Sequence, residues 1–335
     1  MKTELFDYDL PRNLIAQYPV SRRGTSRLLV LDRKTGDIEH RRYSDILEYL
    51  DSGDVVVLNK TKVLKARIFP TVERTGARIE LLLLKNLGDD NWECLIGGAR
   101  KVRVRDRLIA GEFVMTIKLR DNSSAIFTIH CPNTEKMLMM YGHVPLPPYI
   151  RREDKRSDIL RYNTVFAERE GSVAAPTASL NLTRRMIARM RIEGVTVASV
   201  NLAISWGTFA PVVTKNIEDF DLHREYVEVP QSTADIINNC TGKVVAFGTT
   251  VCRALETSVV AGKSTQFEGE TDLFIYPGFE FKVVSSLVTN FHAPKSSLLM
   301  LVSAFAGREN ILKAYECAQR DGYKFLSYGD SMLIK

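Results

Sequence analysis

The middle of this chain limits its fold more than any other stretch. Between about residues 66 and 145 apolar residues come only in short runs: Ala66-Arg67-Ile68-Phe69, 78–84, Trp92-Glu93-Cys94-Leu95-Ile96, 113–119 and 125–130. Turn formers separate them, among them Gly88-Asp89-Asp90-Asn91 and Arg120-Asp121-Asn122-Ser123. Short β-branched and aromatic runs at regular spacing signal strands that close into a small barrel. Pro145-Leu146-Pro147-Pro148 ends the segment, because proline continues neither a ladder nor a helix. The flanks read differently. The run 54–59 is a buried strand, and 44–50 before it has a helical period with Ser44 as N-cap. Beyond 146 helices and strands alternate: a basic helix over 183–193, strands over 195–200 and 243–247, a helix carrying Arg253 and Glu256, and a last helix over 308–321 before a short strand and turn. The reading is an α/β main domain built from residues 1–65 and 146–335, with a small β-barrel domain inserted at 66–145.

The chain has 335 residues, 45% of them hydrophobic and 26% charged, enough for two domains with real cores. No apolar stretch approaches the ~18 residues of a membrane span. The start, Met1-Lys2-Thr3-Glu4-Leu5-Phe6-Asp7, has no apolar signal core, so a cytoplasmic protein is expected. The five Cys and five His are dispersed and no C-x-x-C occurs, so neither a disulfide framework nor a metal is implied. Phosphate-binding G-x-x-x-x-G-K-[ST], dinucleotide G-x-G-x-x-G, H-E-x-x-H and G-x-S-x-G motifs are absent. A net charge of +6 fits a polyanionic partner. Its densest cluster is Arg100-Lys101-Val102-Arg103-Val104-Arg105-Asp106-Arg107. As a strand, this run puts Lys101, Arg103, Arg105 and Arg107 on one face. Arg100, Lys101, Arg103 and Arg105 are therefore candidate phosphate contacts, the other reading being an ordinary solvated face.

Two stretches have the texture of a site. Thr289-Asn290-Phe291-His292-Ala293-Pro294-Lys295-Ser296-Ser297 sets Asn, His and Lys beside the apolar run 298–302, which would anchor the loop. The plainer reading is a helix start capped by Ser296 or Ser297. Gly248-Thr249-Thr250 follows a strand and opens a helix, a common setting for an anion or ligand.

Longer blocks carry a resemblance. They include Phe6-Asp7-Tyr8-Asp9-Leu10-Pro11, Ser26-Arg27-Leu28-Leu29-Val30-Leu31, Tyr162-Asn163-Thr164-Val165-Phe166-Ala167, Gly171-Ser172-Val173-Ala174-Ala175-Pro176-Thr177-Ala178, Thr271-Asp272-Leu273-Phe274-Ile275-Tyr276-Pro277-Gly278, the block 289–302, and Ser327-Tyr328-Gly329-Asp330-Ser331. In this order they resemble the S-adenosylmethionine:tRNA ribosyltransferase-isomerases of the queuosine pathway. The resemblance implies the same fold, a β-barrel inserted in an α/β domain. It also implies transfer and isomerisation of the ribosyl moiety of S-adenosylmethionine onto 7-aminomethyl-7-deazaguanine at the tRNA wobble position. That reaction needs acid–base groups and no metal. The positions so implied are His292, His223 and Asp272 as catalytic residues. Ser172, Ala174, Pro176, Thr177, Thr249, Tyr276, Asn290 and Lys295 would contact the co-substrate. Tyr328 and Asp330 would close the site, and Arg253 with Glu256 is alternatively a helix pair at i, i+3.

The chain departs from the family at three imidazole positions, which are here Asn181, Ala203 and Phe220. Asn181 can hydrogen-bond but not titrate; Ala203 and Phe220 do neither. This leaves three expectations: the family reaction unchanged, S-adenosylmethionine used on a different acceptor, or a non-catalytic tRNA-binding protein.

Overall fold

The computed structural model describes residues 1–120, 126–204, 207 and 211–335. Its strands begin with β1 (Arg27–Leu31), β2 (Ile38–Arg42), β3 (Val55–Asn59) and β4 (Thr61–Val63). Next come β5 (Arg67–Ile68), β6 (Thr71–Val72), β7 (Glu80–Gly88), β8 (Asn91–Gly97), β9 (Arg107–Ala110), β10 (Phe113–Arg120) and β11 (Ile126–His130). The remainder are β12 (Arg169–Ser172), β13 (Thr196–Leu202), β14 (Glu225–Val229), β15 (Val244–Phe247), β16 (Val259–Val260), β17 (Lys263–Ser264), β18 (Phe267–Thr271), β19 (Ser286–Asn290) and β20 (Ser331–Ile334). The helices are α1 (Thr134–Tyr141), α2 (Arg156–Arg161), α3 (Arg184–Ile192), α4 (Gln231–Asn238), α5 (Thr249–Thr257), α6 (Ser297–Ala306) and α7 (Arg308–Arg320). None of the described helices is long and apolar enough to cross a membrane.

One nine-stranded sheet, ordered β18-β14-β13-β3-β15-β19-β20-β1-β2, takes strands from both ends of the chain. Its centre, β13-β3-β15-β19, is parallel. Every residue of β3 and β15 is buried, as expected where helices cover both faces of a parallel sheet. The two-residue period of the strand divides the core. Val55 and Val57 pack with α5, α6 and α7, while Val56 and Leu58 pack with Met186, Ile187 and Met190 of α3. The basic helix predicted over 183–193 is thus α3, amphipathic, with Thr183 as N-cap accepting from Met186 N at 3.1 Å. The helix expected over 44–50 forms instead as a 3₁₀ helix over Tyr43–Tyr49.

The second sheet, β5-β7-β8-β11-β10-β9-β6, is wholly antiparallel and encloses its own core of Ile68, Leu81, Leu83, Cys94, Ile96, Met115, Ile117, Phe127 and Ile129. In place of the expected closed barrel, the described residues form a seven-stranded sheet whose end strands, β5 and β6, do not pair with each other.

The basic run does not form the predicted strand. Ala99–Lys101 make a turn of 3₁₀ helix, Arg105 adopts a left-handed φ of 73°, and β9 begins only at Arg107. The cause is Asp106, which stands where an apolar residue would continue the alternation. Its carboxylate accepts from Arg103 N at 2.9 Å and from Arg74 Nε and Nη2 at 2.9 Å each, folding the segment around itself. Arg100, Lys101, Arg103 and Arg105 are exposed on this turn, not ranked on one strand face.

Candidate active site

In open α/β sheets ligands collect at the carboxyl ends of the parallel strands. Here the chain leaves β13 through Ile204, β15 through Gly248-Thr249-Thr250 and β19 through Phe291-His292, and all of these line one cleft open to solvent. Asn59, the last residue of β3, ties this edge together: its side chain accepts from the Leu202 and Thr61 amides at 3.1 Å each and donates to Leu202 O at 3.0 Å. Gly248 holds φ 119°, a conformation that turns β15 directly into α5 and that side chains rarely adopt.

The second wall is the 174–178 loop. Ser172 Oγ, fully buried, donates to Ala174 O at 2.7 Å and accepts from Ile204 N at 2.9 Å. Tyr43 OH, also buried, donates to Ala178 O at 2.6 Å. The third wall is the loop into α6, where both readings of its sequence hold: Ser296 is the N-cap, accepting from Leu299 N at 3.2 Å, and the preceding residues line the cleft. Tyr149, its hydroxyl 2.6 Å from Ser327 Oγ, and Leu326 complete the mouth.

His292 is 7% exposed and has Nε2 2.7 Å from Thr289 Oγ1. Its backbone is clamped on both sides: the amide donates to Tyr315 OH at 2.9 Å, and the carbonyl accepts from Tyr8 OH. Desolvation by burial pushes the imidazole pKa down to about 3, so the ring is neutral through the ordinary pH range. Asn290 Nδ2 donates to Asp330 O at 3.3 Å, while its buried Oδ1 accepts no hydrogen bond and is available to a donor in the cleft. Among the described residues, those lining the cleft include no Asp, Glu, Lys or Arg.

Of the positions singled out from sequence, His292, Asn290, Ala174, Pro176, Thr177 and Thr249 meet in this cleft. Ser172 shapes its wall from behind. His223 lies elsewhere, exposed and packed against Gly207. Asp272 is 66% exposed and faces Arg224 at 3.6 Å. Tyr276 packs edge-on to Phe274. Lys295, at φ 54°, pairs with Asp7 at 2.7 Å and knits the loop to the N-terminal segment through the bond from its amide to Phe6 O. Tyr328 OH donates to Asp158, and Asp330 accepts from the Arg27 and Lys324 amides, so these two brace the terminal turn while Leu326 and Ser327 face the cleft.

Sequence reading missed Tyr149 and Ile204, and it missed the partner of Arg253, whereas Thr250 lay in the Gly248-Thr249-Thr250 turn read as a ligand setting. Arg253 does not pair with Glu256. Glu256 instead accepts the backbone amides of Lys282, Val283 and Val284, and Arg253 Nη2 donates to Glu225. The Pro147-Pro148-Tyr149 corner was the available signal for Tyr149.

Far from the cleft, His40, Cys317 and Asp321, dispersed in sequence, each bring one ligand atom within 4.8 Å of the others. Arg320 lies 3.4 Å from the Cys317 sulfur and 3.5 Å from Asp321, so a cation already serves this group.

A family model described as queuosine biosynthesis protein matches residues 3–334. An S-adenosylmethionine:tRNA ribosyltransferase-isomerase of Sulfurihydrogenibium sp. (strain YO3AOP1) is 47% identical, and one of Staphylococcus haemolyticus (strain JCSC1435) is 43% identical, each over the whole of both chains. A crystal structure of S-adenosylmethionine tRNA ribosyltransferase from Thermotoga maritima matches with a TM-score of 0.57 and 35% identity, covering 99% of this chain and all of that one.

Proposed function

This chain belongs to the queuosine biosynthesis protein family, and we infer from its full-length likeness to these relatives that it is an S-adenosylmethionine:tRNA ribosyltransferase-isomerase. It transfers and isomerises the ribosyl moiety of S-adenosylmethionine onto 7-aminomethyl-7-deazaguanine at the tRNA wobble position, giving epoxyqueuosine and releasing adenine and methionine.

The observation in the site that best supports this reading is a cleft walled by neutral polar and apolar groups, with no formal charge on the described residues that line it. A sulfonium brought into such a cleft loses its hydration and meets no carboxylate to replace it. Loss of a proton from the carbon beside sulfur to a water at the open mouth of the cleft leaves a net-neutral ylide there, so the same environment favours the first chemical event. We assign His292 the role of a neutral hydrogen-bonding group toward the reacting nucleoside. With a pKa near 3 it is a poor proton acceptor, which departs from the proton-shuttling role its sequence position suggests. Thr289 Oγ1 also lies 3.4 Å from Asn290 O; if its proton points there, the oxygen receives the Nε2 hydrogen of His292 and leaves Nδ1 as the acceptor nitrogen. Asn290 Oδ1 and the hydroxyls of Thr177, Thr249 and Thr250 supply further partners for a ribose and a purine.

The 66–145 segment is proposed as one inserted unit that carries Arg100, Lys101, Arg103 and Arg105 to the phosphates of tRNA. The test is incubation with S-adenosylmethionine and tRNA bearing 7-aminomethyl-7-deazaguanine, followed by mass spectrometry of the digested nucleosides and small molecules. Epoxyqueuosine with equimolar adenine is expected. Adenine release without a modified nucleoside would move the acceptor elsewhere, and no release at all would overturn the assignment.

A further inference from the structure

A second, smaller chamber adjoins the cleft and shares Thr249, Thr250 and Leu298 with it. Its other walls are apolar, from Leu222, Leu273, Phe274, Ile275 and Leu301, with three exceptions, one of them Ser297 at the start of α6. Glu225 enters from β14 and Arg253 from α5, only 4% and 8% exposed. Arg253 Nη2 donates to Glu225, but the buried Nε–H of Arg253 has no acceptor. Desolvating two charges is costly, and an orphaned buried guanidinium N–H adds to that cost. Apolar side chains of similar volume would fill this space at no such cost, so the arrangement is better explained by a ligand than by packing.

The chamber is net neutral yet carries one charge of each sign, the complement of a zwitterion. We propose, on the reading that S-adenosylmethionine binds in the cleft, that this chamber holds its α-amino acid end. The carboxylate faces the Arg253 fork and the first turn of α5; the ammonium faces Glu225. The nucleoside then occupies the uncharged cleft, and the sulfonium lies at the neck formed by Thr249, Thr250 and Leu298. The division is chemically sensible: the end that must only be held meets charges, and the end that must react meets none.

The proposal is tested by calorimetric titration with S-adenosylmethionine, its decarboxylated analogue and 5′-methylthioadenosine, which lacks the amino acid end. The wild-type protein is expected to prefer S-adenosylmethionine to the decarboxylated analogue by about tenfold or more, the usual weight of a buried charge-assisted bond. The double variant Glu225→Gln, Arg253→Met keeps the chamber neutral and leaves no stranded charge. It is expected to bind 5′-methylthioadenosine as the wild type does while losing that preference. Arg253→Lys, which retains the charge without the planar fork, should keep only part of it. An undiminished preference in the double variant, or equal binding of all three ligands by the wild type, overturns the proposal. Failure of the wild type to bind any of the three overturns the cleft assignment on which it rests.

Discussion

Replacing His292 by Gln tests the physical basis of the site. In the unfolded chain this imidazole titrates near 6.5; in the folded chain burial holds it near 3. Because the folded value is depressed, the unfolded state binds the proton more readily at any pH between the two, and folding stability falls as pH falls through 6.5. At pH 7.5 both states are almost wholly neutral and the group contributes close to nothing. At pH 5.0 the unfolded state is about thirtyfold more protonated in its binding polynomial, which is about 2 kcal/mol of lost stability from this one residue. Below pH 3 the loss levels off near 5 kcal/mol, an order-of-magnitude ceiling for a shift of this size. Denaturation of both proteins at pH 7.5 and 5.0, followed by circular dichroism, should therefore show a pH dependence about 2 kcal/mol shallower in His292→Gln than in the wild type. All other titrating groups are common to both proteins and cancel in the comparison. Nitrogen NMR of histidine-labelled protein provides the independent reading: the His292 ring should stay neutral at pH 5. Parallel pH dependences, or a His292 titration midpoint near 6.5, would refute the claim that the ring is desolvated and neutral in the cleft wall.

Three further outcomes follow from the same geometry. His292→Ala should lower kcat about a hundredfold or more through the lost hydrogen bond, with S-adenosylmethionine binding changed far less, as steady-state kinetics and titration would show. Tyr43→Phe removes the hydrogen bond from a buried hydroxyl to Ala178 O and should cost about 1–3 kcal/mol in denaturation while raising the KM for S-adenosylmethionine by loosening the 174–178 wall. Arg103→Ser with Arg105→Ser should weaken tRNA binding and make the logarithmic salt dependence shallower by roughly one for each phosphate contact removed; an unchanged slope would take this turn out of the RNA-binding surface.

What the sequence disclosed and what it hid divide on whether the cause was local. The β3 and β15 runs are legible because strands buried on both faces must be apolar throughout, and the loops after parallel strands are legible because a turn into a helix needs glycine and hydroxyl residues. The 100–107 run deceived because one carboxylate, Asp106, found Arg74 across 32 residues and folded the alternation into a turn. The pairing of Arg253 with Glu225 was equally hidden: the i, i+3 rule pointed to Glu256, whose carboxylate the sheet instead uses to collect three amides. The same distinction bears on the three replaced imidazoles. Asn181 is buried, Ala203 just past β13 donates its amide to Tyr226 O at 3.0 Å, and Phe220 packs edge-on to Phe274 at 5.8 Å. None of them lines the cleft among the described residues, whereas His292, Asn290 and the hydroxyls at 177, 249 and 250 all do. Phe220 stands behind an aromatic wall of the Arg253 chamber through its edge-on contact with Phe274, so this replacement puts an apolar ring where an imidazole would bring a hydrogen-bonding group toward the paired Arg253 and Glu225.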